Sequence, residues 1–330
     1  MQNDIAQVLE ALRVSENVLV TAHAQPDGDA LGAMAGMAHL LARLGKRVAH
    51  YNVSHIPEDF RLLDMGAPWA RTLKELQGFR PDLLVVLDCG DASRVGPELE
   101  PLVGSMRSVN IDHHMGNPRF GTAANWVDPG MVAAAQMVGY LARAAGFELS
   151  GILGECVYLG LNTDTGSFRF DSTTPEAFEL AAEIVRSGLR LGAFFTKYEK
   201  HWTLNRLILW GDLMQHVQLH CGGRVALTLV TKEVIERRRA RRGDLENFAS
   251  FLHCLHGVDV VLLVRENGPG KSKASFRAID EIDVQVMAAE FGGGGHKNAS
   301  GAELDMEPAA AATVILETID RHLARYGKKG

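Results

Sequence analysis

Apolar residues recur with helical spacing from Ile5 to Leu12 and again over 30–44. The second stretch follows Asp29, a helix-capping residue type, and Gly45 stops it. Between and beyond these lie short continuous apolar runs near 17–22, 47–51, 83–88 and 107–111, bounded by turn formers and read as strands. Helical spacing returns over 131–145, 151–162 and 175–187. Strands alternating with helices imply a largely parallel sheet covered on both faces. From Leu191 to Gln218 the pattern is helical and mixed, as expected of a connector. Strand patterns then recur at Arg224–Val230, Val258–Val264 and Ala274–Ile279, with helices expected over 243–256, 283–290 and 307–325. The fold class is therefore α/β: a mostly parallel-sheet N-terminal domain over 1–190, a helical connector over 191–219 and a smaller α/β domain over 220–330. No internal repeat or low-complexity linker interrupts this order.

Composition narrows the class. The chain has 330 residues, enough for roughly two domains, with 46% hydrophobic and 22% charged content, ordinary for a globular protein with buried cores. No apolar run reaches the roughly 18 residues of a membrane span, and the start Met1-Gln2-Asn3-Asp4 has neither a basic cluster nor an apolar signal core. A cytoplasmic protein with no membrane partner is expected. Cys89, Cys156, Cys221 and Cys254 are widely spaced and form no CxxC pair, so they are expected to be reduced and mostly buried. A net charge of −6 argues against gripping long duplex nucleic acid, which needs many phosphate contacts, but not against small anions held in a local basic pocket. The one basic run, Arg237-Arg238-Arg239 with Arg241 and Arg242, is expected on an exposed helix or loop. It is read there as a solvated face, with an oligonucleotide backbone or acidic surface as alternative partners.

Chemistry enters where the apolar runs end. Val109-Asn110-Ile111 runs into Asp112-His113-His114. Val18–Ala22 is followed by His23-Ala24-Gln25-Pro26-Asp27-Gly28-Asp29, Leu83–Leu87 by Asp88, and Val157–Asn162 by Thr163-Asp164. The last run is counted here as a fourth strand-like end, although helical spacing also covers 151–162. Strand ends are where open α/β sheets bind ligands. A single such Asp is most simply a turn or cap residue, and a single His a hydrogen-bonded core residue; four ends with the same chemistry ask for a common cause. Converging carboxylates repel and cost several kcal/mol to bury unless paired or metal-bound. Oxygen ligands with a few imidazoles and no thiolate suit Mn²⁺, then Mg²⁺ or Fe²⁺, better than a structural zinc. Pro26 argues against a helix between His23 and Asp27, which are expected to share a tight loop over one ion, with Asp29 free to address a second.

The ordered segments HAQPDGDALGA, VVLDCGD, IDHH and NTDTGSF resemble the four motifs of the DHH phosphoesterase superfamily, and GGGGHKNASG at 292–301 resembles the glycine-rich signature of the DHHA1 domain. The resemblance runs from about Val18 to Leu304 and is closest to the nano-RNase and 3′-phosphoadenosine-5′-phosphate (pAp) phosphatase subfamily. It implies two Mn²⁺ ions, with Mg²⁺ or other divalent ions as substitutes, one held by His23, Asp27 and Asp88 and the other by Asp29, Asp88, His113 and Asp164. Asp88 would bridge, and Asp88, His113 and His114 would form the catalytic group. Asp112 would orient an imidazole, and His114 would meet a phosphate oxygen. Arg277, in Lys273-Ala274-Ser275-Phe276-Arg277, resembles a phosphate-binding arginine, a role that suits a guanidinium. Arg94 and His296 are further candidates for substrate contact, and Gly293, Gly294 and Gly295 are candidates for close backbone approach to an anion. Where the subfamily often has a glutamate after the third motif, this chain has Gln136. The implied activity is hydrolysis of RNA of roughly two to five nucleotides to mononucleotides and of pAp to AMP. A cyclic dinucleotide phosphodiesterase and a silent nucleotide-binding regulator are the alternatives, and a homodimer is compatible with the sequence.

Overall fold

The structure is a computed structural model that describes residues 2–199, 202–279 and 281–325, without the side chains of Gln2, Asn3, Glu199, Arg242 and His296. The chain divides into two compact units, Met1–His201 and Trp202–Gly330.

The first unit opens with α1 (Gln2–Arg13), β1 (Asn17–Thr21), α2 (Gly28–Arg43) and β2 (Arg47–Tyr51). Then come β3 (Trp69–Ala70), β4 (Leu83–Leu87), α3 (Glu100–Val103), β5 (Ser108–Asp112) and β6 (Ala124–Val127). Four helices close it: α4 (Ala134–Ala144), α5 (Gly151–Asp164), α6 (Pro175–Arg186) and α7 (Leu191–Glu199). Among the described residues the strands form one six-stranded sheet in the order β3-β2-β1-β4-β5-β6, parallel throughout. The chain lays down β1 to β3 in one direction and resumes with β4 on the other flank of β1. The β1–β4 boundary is thus the topological switch point, where the loops leaving two neighbouring strands part and open a crevice.

Strand alternation explains the layering. Val18 and Val20 of β1 and Val85 and Leu87 of β4 enter the core beneath α2, α4 and α5. Leu19, Leu84 and Val86 face the opposite way, into a smaller core with Val95, Leu99 and Val103. Helix α2 lies close to α5 because its facing positions are glycine. A Cβ at Gly28 would overlap Thr163, and one at Gly32 would come within 2.6 Å of the Cys156 carbonyl oxygen.

The second unit runs α8 (Leu204–Gln215), β7 (Gln218–His220), β8 (Val225–Val230), α9 (Lys232–Arg237) and α10 (Phe248–Phe251). It continues with β9 (Val260–Glu266), β10 (Ser272–Ala278), α11 (Val284–Ala289), β11 (Gly294–His296), β12 (Ala299–Leu304) and α12 (Pro308–Leu323). Its sheet has the order β11-β12-β10-β9-β8-β7; β8 and β9 are parallel and the other pairs antiparallel. One face packs on α11 and α12 through Val260, Leu262, Ala274, Phe276, Ile315 and Ile319. On the other face Trp210, Leu213 and Phe248 cover Ala226, Val261 and Leu263.

Several expectations change. The segment 191–219 divides between the units, α7 closing the first and α8 opening the second. The single helix expected over 243–256 is broken, because Asn247 takes a left-handed conformation (φ 64°) immediately before α10. The apolar run 157–162 is helix α5 and not a strand, so Asp164 arrives from a helix C-terminus. Only Cys89 and Cys156 are buried; Cys254 is exposed. The basic run is partly neutralised, since Arg237 and Arg238 reach Asp212 of α8 at 3.2 and 3.0 Å. Among the described residues no helix is long and apolar enough to cross a membrane.

Candidate metal centre

β1 delivers His23. Its Nδ1 lies 2.9 Å from the Ala24 carbonyl oxygen, which suits a tautomer with the proton on Nδ1. Nε2 then faces Asp88 Oδ2 at 3.5 Å and Asp27 Oδ2 at 3.9 Å. The loop is pinned by the Ala24 amide donating to the Arg94 carbonyl and by Asn52 Nδ2 donating to the His23 carbonyl. Asp27, not Asp29, caps α2: its Oδ1 accepts the amides of Asp29 and Ala30 at 3.1 Å each, leaving Oδ2 toward His23. Asp29 lies in the first turn of α2, fully buried, and its carboxylate accepts the Ala134 and Ala135 amides at 2.6 and 2.9 Å. These amides open α4, so the positive end of that helix holds the carboxylate in place.

Asp88 follows β4 in a left-handed backbone conformation (φ 49°), a strained geometry for a residue with a Cβ, and its amide is tied to the Ile111 carbonyl of β5. It is only 2% exposed. Its Oδ1 lies 3.3 Å from His113 Nε2 and 3.6 Å from His114 Nδ1. The His113 ring is steered by the Met131 carbonyl, 3.3 Å from Nδ1, so that Nε2 also faces Asp164 Oδ2 at 3.3 Å and Asp29 Oδ2 at 3.7 Å. Sequence-predicted residues from β1, α2, β4, β5 and α5 therefore converge. Three sets have donor atoms mutually within 4.8 Å: His23, Asp27 and Asp88; Asp29, His113 and Asp164; Asp88, His113 and His114.

Without a cation this cluster carries opposed demands. Burial, then the Asp88 and Asp27 charges, push the Asp29 carboxyl up to about 8. Burial and the charges of Asp29, Asp27 and Asp88 likewise hold Asp164 well above the usual carboxylate range. Burial works against ionisation of Asp88 too, but His113 and His23 outweigh it and keep that carboxyl low. Burial would lower His113; the carboxylates of Asp88, Asp29 and Asp164 win and raise it to about 10. Asp88 Oδ1 and His113 Nε2 are buried, face each other and have no hydrogen-bond partner. Buried polar atoms are rarely left so. Acceptor-only oxygens and imidazole nitrogens aimed at a common point fit a divalent cation.

Asp112 is turned to His114. Its Oδ1 is 2.8 Å from His114 Nδ1, and its Oδ2 accepts Asn117 Nδ2 at 2.6 Å. Asn117, not foreseen from the sequence, also reaches the Cys89 carbonyl and Asn110 Oδ1; an Asn five residues past a triplet carries no distinctive signal. Gln136 is buried and accepts the Val132 amide at 2.9 Å, shaping the turn that aims α4 at Asp29. The Cys89 thiol donates to the Asp91 carbonyl, and burial pushes it up to about 12. Arg94 is exposed on the turn whose carbonyl pins the His23 loop.

The other expected residues lie in the second unit. There a cavity of about 600 Å³ is lined by Lys273, Ser275, Arg277, Gly292–Gly294, Ser300–Ala302 and Glu303. Arg277 Nη1 donates to the Phe276 carbonyl, and its Nε meets Ser250 Oγ at 3.4 Å. The glycines differ from the expected amide cradle. The Gly292 and Gly293 amides close the end of α11 on Ala289 and Ala288, while Gly294 and Gly295 belong to edge strand β11. Gly292, Gly293 and Gly294 line the cavity. His296 is part of β11, but its side chain lies outside the described residues. Lys273 and Glu303 were not foreseen as lining residues, although the buried–open alternation of 272–278 is the pattern that finds the former.

Residues 17–161 match the family model for the DHH family, N-terminal domain, and residues 226–325 that for the DHHA1 domain. A bifunctional oligoribonuclease and PAP phosphatase NrnA from Thermus thermophilus is 34% identical over 98% of this chain and 94% of its own. An exopolyphosphatase-related protein from Bacteroides fragilis superposes with a TM-score of 0.90 at 25% identity, covering 98% of each chain. RecJ from Thermus thermophilus, solved with Mn²⁺, shares the fold at a TM-score of 0.51 and 17% identity, over 99% of this chain and 55% of its own.

Proposed function

Because the chain belongs to the DHH family of phosphoesterases and carries a DHHA1 domain, we propose that it is a divalent-metal phosphohydrolase that cuts RNA of roughly two to five nucleotides to mononucleotides and converts pAp to AMP. The observation that carries the reading is the buried, unpartnered pair Asp88 Oδ1 and His113 Nε2 at the meeting point of two ligand sets. His23, Asp27 and Asp88 would hold one ion, and Asp29, Asp88, His113 and Asp164 a second. Divalent ions held there, Mn²⁺ best suited, would supply a water of lowered pKa and offset charge on a phosphate.

The chain's own residues do the rest. Asp112 fixes the His114 ring through Nδ1, which sets the direction in which Nε2 would donate to a phosphate oxygen when the ring is an imidazolium. Arg277, whose pKa burial lowers, would supply a planar guanidinium fork in the second-unit cavity for another phosphate. Arg94, exposed on the turn whose carbonyl pins the His23 loop, would add a further positive charge for a phosphate. The names of the relatives support the substrate class: the Thermus thermophilus protein, 34% identical, is an oligoribonuclease and PAP phosphatase.

The test is a substrate panel with Mn²⁺: pAp, a diribonucleotide, a 24-nucleotide RNA and a cyclic dinucleotide. Release of AMP from pAp and of mononucleotides from the diribonucleotide is expected. Turnover confined to the cyclic dinucleotide, or to none of the four, overturns the reading.

A further inference from the structure

The floor of the second-unit cavity is unusually bare. Ser275 of β10, Gly301 of β12 and Gly294 of β11 stand side by side in register across three strands. A Cβ at Gly294 would meet nothing within 4 Å, so that glycine faces open space. The result is a strip of nearly naked backbone on which a planar ring can lie flat. Two sets of side chains bound it. Arg277 stands at one end. At the other, Lys273 and Glu303 are directly opposed across β10 and β12, with Lys273 Nζ 4.0 Å from Glu303 Oε1. Lys273 and Arg277 are four residues apart on one strand, about 13 Å at the usual rise per residue, which is close to the span of one nucleotide.

We propose that Lys273 and Glu303 read the base of a nucleotide whose phosphate is held by Arg277, and that they select guanine. This rests on the phosphohydrolase reading only in its choice of a nucleotide as the ligand. The lysine ammonium is purely a donor and the glutamate carboxylate purely an acceptor. Side by side they complement a base edge that presents an acceptor next to donors. Guanine offers O6 to Lys273 and both N1–H and N2–H to Glu303, a two-pronged contact for the carboxylate. Adenine, cytosine and uracil each satisfy the pair with a single bond to each member. The extra charge-assisted bond corresponds to about a tenfold preference. The Lys273–Glu303 pair carries no net charge whereas the Arg277 guanidinium carries one, which favours the orientation with the phosphate toward Arg277. As a cross-strand ion pair alone, at 4.0 Å and well exposed, Lys273–Glu303 contributes little to stability.

The experiment measures equilibrium binding of GMP, AMP, CMP, UMP and 2′-deoxy-GMP to the full Mn²⁺-loaded chain and to its Glu303→Gln and Glu303→Ala variants. GMP should bind about tenfold more tightly than UMP, dGMP should match GMP, and both variants should erase the ranking. Equal affinities for the four bases in the wild type, or a ranking that survives in both variants, overturns the proposal. So does a dGMP deficit that the variants abolish, since Glu303 would then be reading the ribose hydroxyl. Because the readout is binding, a flat base ranking in a chain that hydrolyses short RNA defeats only this inference. A chain that hydrolyses nothing yet prefers GMP defeats only the functional reading.

Discussion

Asp88 concentrates the chemistry of the first unit in one side chain: left-handed backbone, near-complete burial, one oxygen toward His23 and the other toward His113. Asp88→Asn keeps the volume and removes the charge that two cations would share. Activity on a diribonucleotide should fall below roughly a hundredth of wild type, and metal analysis after gel filtration should find less bound Mn²⁺. Near-normal turnover with full occupancy would remove Asp88 from the bridge. The protonation of the cluster yields a second expectation. With Asp29 raised to about 8 and His113 to about 10, the metal-free protein carries protons at pH 7 that a cation must displace. Binding should release protons, and apparent affinity should rise as pH goes from 6 to 8. Calorimetric titration at one pH in two buffers of different ionisation enthalpy checks this, and heats independent of buffer would contradict it. The residues that converge were legible in the sequence because each closes an apolar run with a carboxylate or imidazole. Their pairing was not: that Asp112 serves His114, while His113 leans on the Met131 carbonyl, depends on side-chain direction at the end of β5 and on a turn 18 residues away.

At the scale of elements, periodicity located the parallel sheet and its helices, the one over 151–162 among them, but the run 157–162 also read as a strand end. Residues 157–162 are apolar enough for a buried strand, and α5 is apolar because it is packed nearly all round, so composition alone could not separate the two. Short edge strands such as β3 and β11 went unseen, since two or three residues carry no period. What brings α5 to Asp29 is the absence of a side chain: a Cβ at Gly160 would overlap the Asp29 carboxylate and Ala135. Gly160→Ala should therefore weaken Mn²⁺ binding measurably and cost about 1–3 kcal/mol in denaturant unfolding; unchanged metal affinity would show that α2 and α5 can separate without disturbing Asp29. Gly294 gives the contrasting case in the second unit, where its missing Cβ faces open space. Gly294→Leu should leave the unfolding midpoint within error while raising KM for a diribonucleotide several-fold. An unchanged KM would place the substrate elsewhere than over β11.

For the whole molecule, charge and composition support the proposal of a short substrate. Net charge is −6, aromatic content is 7%, and two arginines of the one basic run are occupied by Asp212. A long single strand calls for an extended basic groove with stacking rings, and neither requirement is met by these totals. Rates on RNA of two, five, ten and twenty-four nucleotides at fixed salt should fall steeply beyond about five; equal rates along the series would indicate a general exonuclease. The division into two units was visible from the switch in pattern near 190–220, whereas its position between α7 and α8 depends on which core each helix joins. The central claim is that five loops and helix ends of the first unit assemble a divalent-metal hydrolytic centre. It is tested most directly by stripping the full chain of metal and following diribonucleotide hydrolysis as Mn²⁺ is returned. No turnover in the stripped protein and restored turnover with Mn²⁺ are expected. Turnover that persists without metal, or that never appears with it, would contradict the claim.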